Sequence, residues 1–259
     1  MKNIKVVLIV FFSIITFSSF AQQWQDVTPG GQTIGTYSSS FVNYNEGWLC
    51  VRDTAQTNPA MLLHTSNACL DWDTCYTFPG GMRFNRIQMI DSLYGYGAGG
   101  YGLSIFWRTT DGGRTWEDIT DPVLMQNGGP LEQSAAFFFT NADTGFYGAL
   151  TCLYRTVNAG LSWSPIEIPA DGQPATPEIN GYRINEIYFS EPTCGWATGD
   201  GSCTCALKTT DSGQSWQVAY GTYGGRYITG LDFADCNRGG FLVSTGYTPY
   251  LIMTSANFI

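Results

Sequence analysis

Beyond its first 21 residues the chain alternates short apolar and aromatic runs with clusters of Gly, Asp, Asn and Ser. The stretch from 185 to 220 shows the unit: "NEIYF" (185–189), "GWATG" (195–199), "ALKTT" (206–210) and "WQVAY" (216–220). Runs of about five β-branched and aromatic residues between turn-forming clusters predict short antiparallel strands. A helical 3.6-residue period is absent outside the amino-terminal segment, so the pattern predicts an all-β domain.

The strands recur in a fixed order. "RTTDGGRTW" (108–116), "RTVNAGLSW" (155–163) and "KTTDSGQSW" (208–216) are three copies of one box, and "HTSNACLDW" (64–72) is a degenerate fourth. A second signal lies between the boxes. Phe41, Met89, Phe139, Phe189 and Phe233 are each followed six positions later by Gly47, Gly95, Gly145, Gly195 and Gly239. Two motifs alternating at a spacing of about 45–50 residues, with four strands per period, predict the blades of a β-propeller. The expected blades are 32–76, 82–120, 133–168, 183–220 and 226–259, with a strand at 22–28. Two readings of the ring stay open. The strand at 22–28 completes the fifth blade and closes a five-bladed ring, or the chain is a piece of a larger propeller.

Within the box, Asp111 and Asp211 are suited to accept backbone hydrogen bonds of their own turn, and Gly113, Gly160 and Gly213 to supply positive φ. Trp72, Trp116, Trp163 and Trp216 are large enough to fill the space beneath each turn. A turn hydrogen bond contributes about 1 kcal/mol, whereas loss of a buried Trp costs about 3–5 kcal/mol. The indole is thus the dominant contribution. Asn67 and Asn158 stand where the other copies have aspartate, which argues for a structural and against a catalytic role. The boxes resemble the Asp-box, or bacterial neuraminidase repeat, Ser/Thr-x-Asp-x-Gly-x-Thr/Ser-Trp. Together with "GWATGDG" (195–201), they make the chain look most like the propellers grouped with photosystem II assembly and stability factors.

Charge narrows the partner class. Lys2 and Lys5, the apolar run Val6–Phe17 and Ser19-Phe20-Ala21 predict a signal peptide over residues 1–21. Its removal moves the formal charge from −9 to about −11. A chain this acidic is a poor ligand for nucleic acid or an anionic membrane surface, and no later stretch reaches spanning length. The expected destination is periplasmic, cell-surface or secreted, where the eight cysteines can form disulfides. Cys69 and Cys75 flank one box, and Cys194, Cys203 and Cys205 cluster in another repeat, but eight cysteines allow 105 pairings. Cys203-Thr204-Cys205 and the single His64 do not complete a zinc set. Neither a metal nor another cofactor is expected.

In a propeller the first strand of each blade lines the channel. Arg83 and Arg183 lie six residues before their first-strand landmarks and Arg226 seven before its own. Three guanidiniums converging on one mouth would suit a carboxylate or phosphate. Tyr101, Tyr182, Tyr220, Tyr223, Tyr227, Tyr247 and Tyr250 and the proline-rich connection 164–182 add contact surface. The expected function is that of a non-enzymatic exported propeller binding a protein, peptide or glycan on its channel face, with the resemblance implying an assembly or stability role. One alternative is a sialidase-like glycosidase, for which "YRIN" (182–185) approaches the Phe/Tyr-Arg-Ile-Pro mark with Asn185 in place of proline. The other is a binding module of a longer cell-surface protein.

Overall fold

The computed structural model describes residues 34–53, 59–99, 106–126, 136–148, 152–166, 182–201, 204–222, 227–244 and 249–255. The signal segment, the strand expected at 22–28 and Arg226 lie outside them.

The described residues form five antiparallel sheets in series. The first holds β1 (Ile34–Phe41), β2 (Gly47–Asp53), β3 (Met61–Thr65) and β4 (Asp73–Thr77). The second holds β5 (Arg86–Met89), β6 (Gly95–Ala98), β7 (Phe106–Thr109) and β8 (Glu117–Asp118). The third holds β9 (Ala136–Phe139), β10 (Gly145–Gly148), β11 (Leu153–Thr156) and β12 (Ser164–Ile166). The fourth holds β13 (Tyr182–Glu191), β14 (Cys194–Gly201), β15 (Thr204–Thr209) and β16 (Gln217–Thr222). The fifth holds β17 (Tyr227–Phe233), β18 (Arg238–Ser244) and β19 (Pro249–Ser255), three strands among the described residues. Each sheet is a meander, the all-β, blade-in-series architecture of a propeller. A short α-helix, α1 (Pro122–Gln126), departs from the sequence expectation. Asp121 accepts the Val123 N–H at 2.9 Å, and Pro122 opens the turn with a preset φ. That Asp-Pro pair is a helix-start signal the strand pattern masks.

The six-residue spacing has a steric cause. Phe41, Met89, Phe139, Phe189 and Phe233 each pair across their hairpin with the glycine six residues on. The side chain lies across that glycine: a Cβ on Gly145 would come within 2.6 Å of Phe139 Cδ1, and one on Gly95 within 2.2 Å of Met89 Sδ. The turn between these strands is an Asx turn in four sheets. Asn43, Asp91, Asn141 and Asp235 each accept N–H groups two and three residues on.

The four boxes share one wiring. A buried threonine (Thr65, Thr109, Thr156 or Thr209) donates to the oxygen of Asn67, Asp111, Asn158 or Asp211 at 2.8–3.0 Å. The same threonine accepts the N–H of Cys69, Gly113, Gly160 or Gly213. The same acidic or amide oxygen, four residues before the tryptophan's preceding neighbour, ties the exit by accepting the N–H of that neighbour, Asp71, Thr115, Ser162 or Ser215. With asparagine the last link reverses: Asn158 Nδ2 donates to Ser162 Oγ at 2.8 Å, where Ser215 Oγ donates to Asp211 Oδ2 at 2.6 Å. Hence Asn and Asp are interchangeable there. The glycine also lets the turn lie against the sheet before it. Gly213 has φ +73°, and a Cβ there would fall 2.1 Å from Phe146 Cζ.

Burial works against the Asp211 carboxylate, but hydrogen bonds from Ser215, Thr209 and Gln214 outweigh it and hold its pKa down to about 2. A depressed carboxylate stabilises the fold above its unfolded value of 3.8, and that contribution is lost as pH falls through about 2. Denaturant titration of the native protein and Asp211→Asn is therefore expected to show a small stability gap at pH 5 that shrinks at pH 2. A gap independent of pH would exclude the charged form from the turn.

Successive sheets meet by a repeated seam. Their first strands pack in order, β1 on β5, β5 on β9, β9 on β13 and β13 on β17, so they share an inner wall. The residue before each landmark reaches the next sheet. Ser40 Oγ accepts the Met89 N–H at 2.8 Å, Gln88 Oε1 accepts the Phe139 N–H at 2.8 Å, and the Tyr188 hydroxyl donates to Phe233 O at 3.1 Å. Phe138, at the third seam, stacks on Phe189 instead. The aromatic after the motif glycine completes the contact: Tyr96 stacks on Phe139, Phe146 on Phe189 and Trp196 on Phe233. Between the fourth and fifth sheets a disulfide, Cys194–Cys236, joins the start of β14 to the turn before β18.

The disulfide joins Cys194 to Cys236, one of the pairings the sequence left open. Cys69 and Cys75 are both free. Cys69 takes the glycine place of the first box at φ 66°, and Cys75 turns toward Gly113 O of the second sheet. Burial pushes the Cys75 thiol up to about 12, so it is not a thiolate nucleophile at neutral pH.

Candidate functional site

The inner wall is built by the first strands, whose side chains alternate between the seams and the channel. In β5, Ile87 and Met89 are buried while Arg86 and Gln88 are partly exposed. The inner position three residues before the landmark carries Arg86 in the second sheet and Glu186 in the fourth. Arg86 passes the third sheet, with its guanidinium carbon 5.8 Å from the centre of the Phe137 ring. It then meets Glu186, Nη2 to Oε1 at 3.4 Å. One ion pair thus spans two non-adjacent sheets.

Both side chains remain partly exposed, 31% for Arg86 and 40% for Glu186. A pair this wet contributes no more than about 1 kcal/mol, so exchange of Glu186 for another carboxylate is inexpensive. Gln88 and Tyr188 occupy the next inner layer, each committed to a seam. Burial, with Asp232 nearby, raises the Tyr188 phenol above its ordinary pKa, which keeps it a donor.

Arg83 sits at the entrance of the second sheet. Its Nε donates to Asn85 Oδ1 at 3.3 Å, and its guanidinium carbon lies 5.0 Å from the centre of the Tyr37 ring of the first sheet. Arg183 is the second residue of β13, paired in register with Asp200; its side chain, like all of Arg226, lies outside the described residues. Arg83 and Arg86 therefore open the same strand of the wall, and convergence of Arg83, Arg183 and Arg226 stays a proposal. Arg86 and Glu186 are the residues the sequence reading missed. Their signal was available: opposite charges at the same place in two periods.

The box residues stand apart from this wall, in the turns after the third strands. Trp163 and Trp216 are buried and Trp72 and Trp116 partly so. Asn185, in the stretch compared with the sialidase mark, is the bulge residue of β13, where the register shifts between Ile184 and Glu186. Tyr220 packs on Phe241, 5.1 Å between ring centres, and so serves the fourth seam. Tyr182, Tyr227 and Tyr250 lie on strands without described side chains, and Tyr101, Tyr223, Tyr247 and residues 167–181 lie outside the description. Among the described residues there is no group of three metal-capable side chains, and no helix is long and apolar enough to cross a membrane.

No family model and no curated protein matches the sequence. Solved structures do match. The GH74 xyloglucanase from Xanthomonas campestris aligns at TM-score 0.58 and 14% identity over 84% of this chain and 38% of its own. The GH74 enzyme from Niastella koreensis aligns at 0.54 and 14% over 85% of this chain and 38% of its own. YCF48 bound to D1 peptide aligns at 0.40 and 17%, over 88% of this chain and 95% of its own. The chain thus spans well under half the length of the GH74 enzymes it matches. At these identities the likeness is one of fold, and the fold is the propeller.

Proposed function

We propose that this is an exported, non-enzymatic propeller whose channel face holds a protein, peptide or glycan segment through a carboxylate of that partner. The observation that carries the reading is the Arg86–Glu186 pair bridging two sheets across the inner wall. A guanidinium accepts a carboxylate in a forked geometry, and Arg86 already holds one that a ligand can replace. A protein of formal charge −9 repels strongly anionic partners at long range. The preferred segment is therefore neutral or basic overall with a single acidic group. The disulfide Cys194–Cys236 supports an oxidising compartment. Holding a partner in this way accords with the assembly or stability role that the sequence resemblance implies.

Panning a displayed peptide library on the chain from Gln22 onward tests this. Selected peptides are expected to carry an acidic residue and to bind Arg86→Ala about tenfold or more weakly, since hydrogen bonds to charged groups contribute about 1.5–3 kcal/mol. Glu186→Gln, which frees Arg86, is expected to tighten them. Affinity indifferent to both changes refutes the site. Release of 4-methylumbelliferone from glycosides, abolished by Arg183→Ala, would replace binding with hydrolysis.

A further inference from the structure

The residue before each box threonine is a cation or a histidine: His64, Arg108, Arg155 and Lys208. Each pairs in register with the aromatic after the motif glycine, Trp48, Tyr96, Phe146 or Trp196, so all four occupy one repeated place. Three of them have an oxygen partner. His64 Nε2 lies 3.2 Å from Glu46 Oε1, Arg108 Nη2 lies 2.6 Å from Glu117 Oε2, and Lys208 Nζ donates to Asn237 Oδ1 at 3.3 Å. Arg155 has none among the described residues: its Nε is buried without an acceptor, and its guanidinium makes no ion pair.

The cause lies in the residues of the third seam. Partners come from three places: the residue before the motif glycine, the residue after the box tryptophan, and the fourth residue past the landmark of the next sheet. For Arg155 these places hold Thr144, Ser164 and Thr193. Ser164 is the register partner of Arg155, as Glu117 is of Arg108. A hydroxyl thus replaces the carboxylate or carboxamide at every place, and none of the three hydroxyls is hydrogen-bonded among the described residues. The acids of the adjoining turns are engaged elsewhere. Asp143 lies toward the Tyr96 phenol, Glu191 accepts the Cys236 N–H, and Asp211 is held within its own box. Compared with Arg108, Arg155 lacks one carboxylate. A buried donor without an acceptor is costly, and a carboxylate is the natural complement of a guanidinium. We propose that Arg155, with Thr144, Ser164 and Thr193 at the three partner places, is a second binding site, which takes the carboxylate of a bound ligand.

Thermal unfolding of the chain from Gln22 onward, in sodium acetate against sodium chloride at equal ionic strength, tests the site. Every protein compared carries Arg86→Gln, so the channel pair contributes nothing and the two sites stand or fail separately. Acetate is expected to raise Tm in a saturable way. Arg155→Gln is expected to weaken its apparent affinity more than about tenfold, the loss of a hydrogen bond to a charged group. Ser164→Glu, at an exposed position, supplies the carboxylate from within the chain. It is expected to raise Tm without acetate, to abolish the acetate response, and to raise nothing when Arg155→Gln is also present. Where Arg155→Gln does not fold, Ser164→Glu alone decides. Indifference of the unmodified site to acetate overturns the proposal, as a carboxylate of Glu167, Asp171 or Glu178 already seated there would produce. An acetate response that survives Ser164→Glu, or a response to phosphate alone, overturns it equally.

Discussion

Trp216→Ala is expected to destabilise the protein by about 3–5 kcal/mol, the cost of emptying a large buried aromatic site. Trp216 is fully buried beneath the fourth box. Its ring meets Phe189 of its own sheet at 5.8 Å and Phe146 of the sheet before at 5.9 Å, both edge to face. It is therefore the wedge of a seam as well as the floor of a turn, and its loss opens a cavity on both sides. For a domain of this size the loss corresponds to a fall in Tm of roughly 6–20 °C. Val157→Ala, on an exposed turn, is the control and is expected to change stability by less than about 0.5 kcal/mol. Equal effects of the two changes in a denaturant titration would mean the indole packs elsewhere.

Removing the Cys194–Cys236 disulfide is expected to cost about 4 kcal/mol, the chain-entropy value for a closed loop of 42 residues. The effect falls on the fifth sheet, since the bridge ties the turn between β17 and β18 to the edge of β14. Without it that sheet is still held by Trp196 on Phe233 and Tyr220 on Phe241 within a shared apolar cluster, by the Tyr188 hydroxyl, by Lys208 Nζ donating to Asn237 Oδ1 at 3.3 Å and by the weak Glu191 contact to the Cys236 N–H at 3.4 Å. The double replacement Cys194→Ser, Cys236→Ser should thus lower the midpoint of unfolding and speed hydrogen exchange first in β17–β19. An unchanged midpoint would show that the aromatic seam alone fixes the fifth sheet.

The sequence carries the repeat because each motif answers a local steric demand. Glycine follows the landmark because a side chain crosses it. The box needs a threonine, an acceptor and a left-handed residue within five positions. Such short-range demands are written in every copy, so strands, sheets and boxes are legible. Pairings between copies are not. Cys194 meets Cys236 rather than the nearer Cys203 or Cys205 because the seam, not sequence distance, brings sulfurs together. The three entrance arginines drew attention as like residues at like positions. Arg86 and Glu186 are unlike residues at like positions, and only the curvature of the sheet series makes them a pair. The seam residues Ser40, Gln88, Phe138 and Tyr188 share a place and a task but no chemistry, which hides them from a motif search.

A crystal structure of the chain from Gln22 onward tests the central claim most directly, that the sheets are repeats around one inner wall. The account predicts Trp116, Trp163 and Trp216 beneath equivalent turns, with Arg86 of the second sheet touching Glu186 of the fourth at about the 3.4 Å separation described here. Indoles in unrelated surroundings, or Arg86 and Glu186 on opposite outer surfaces, would contradict it.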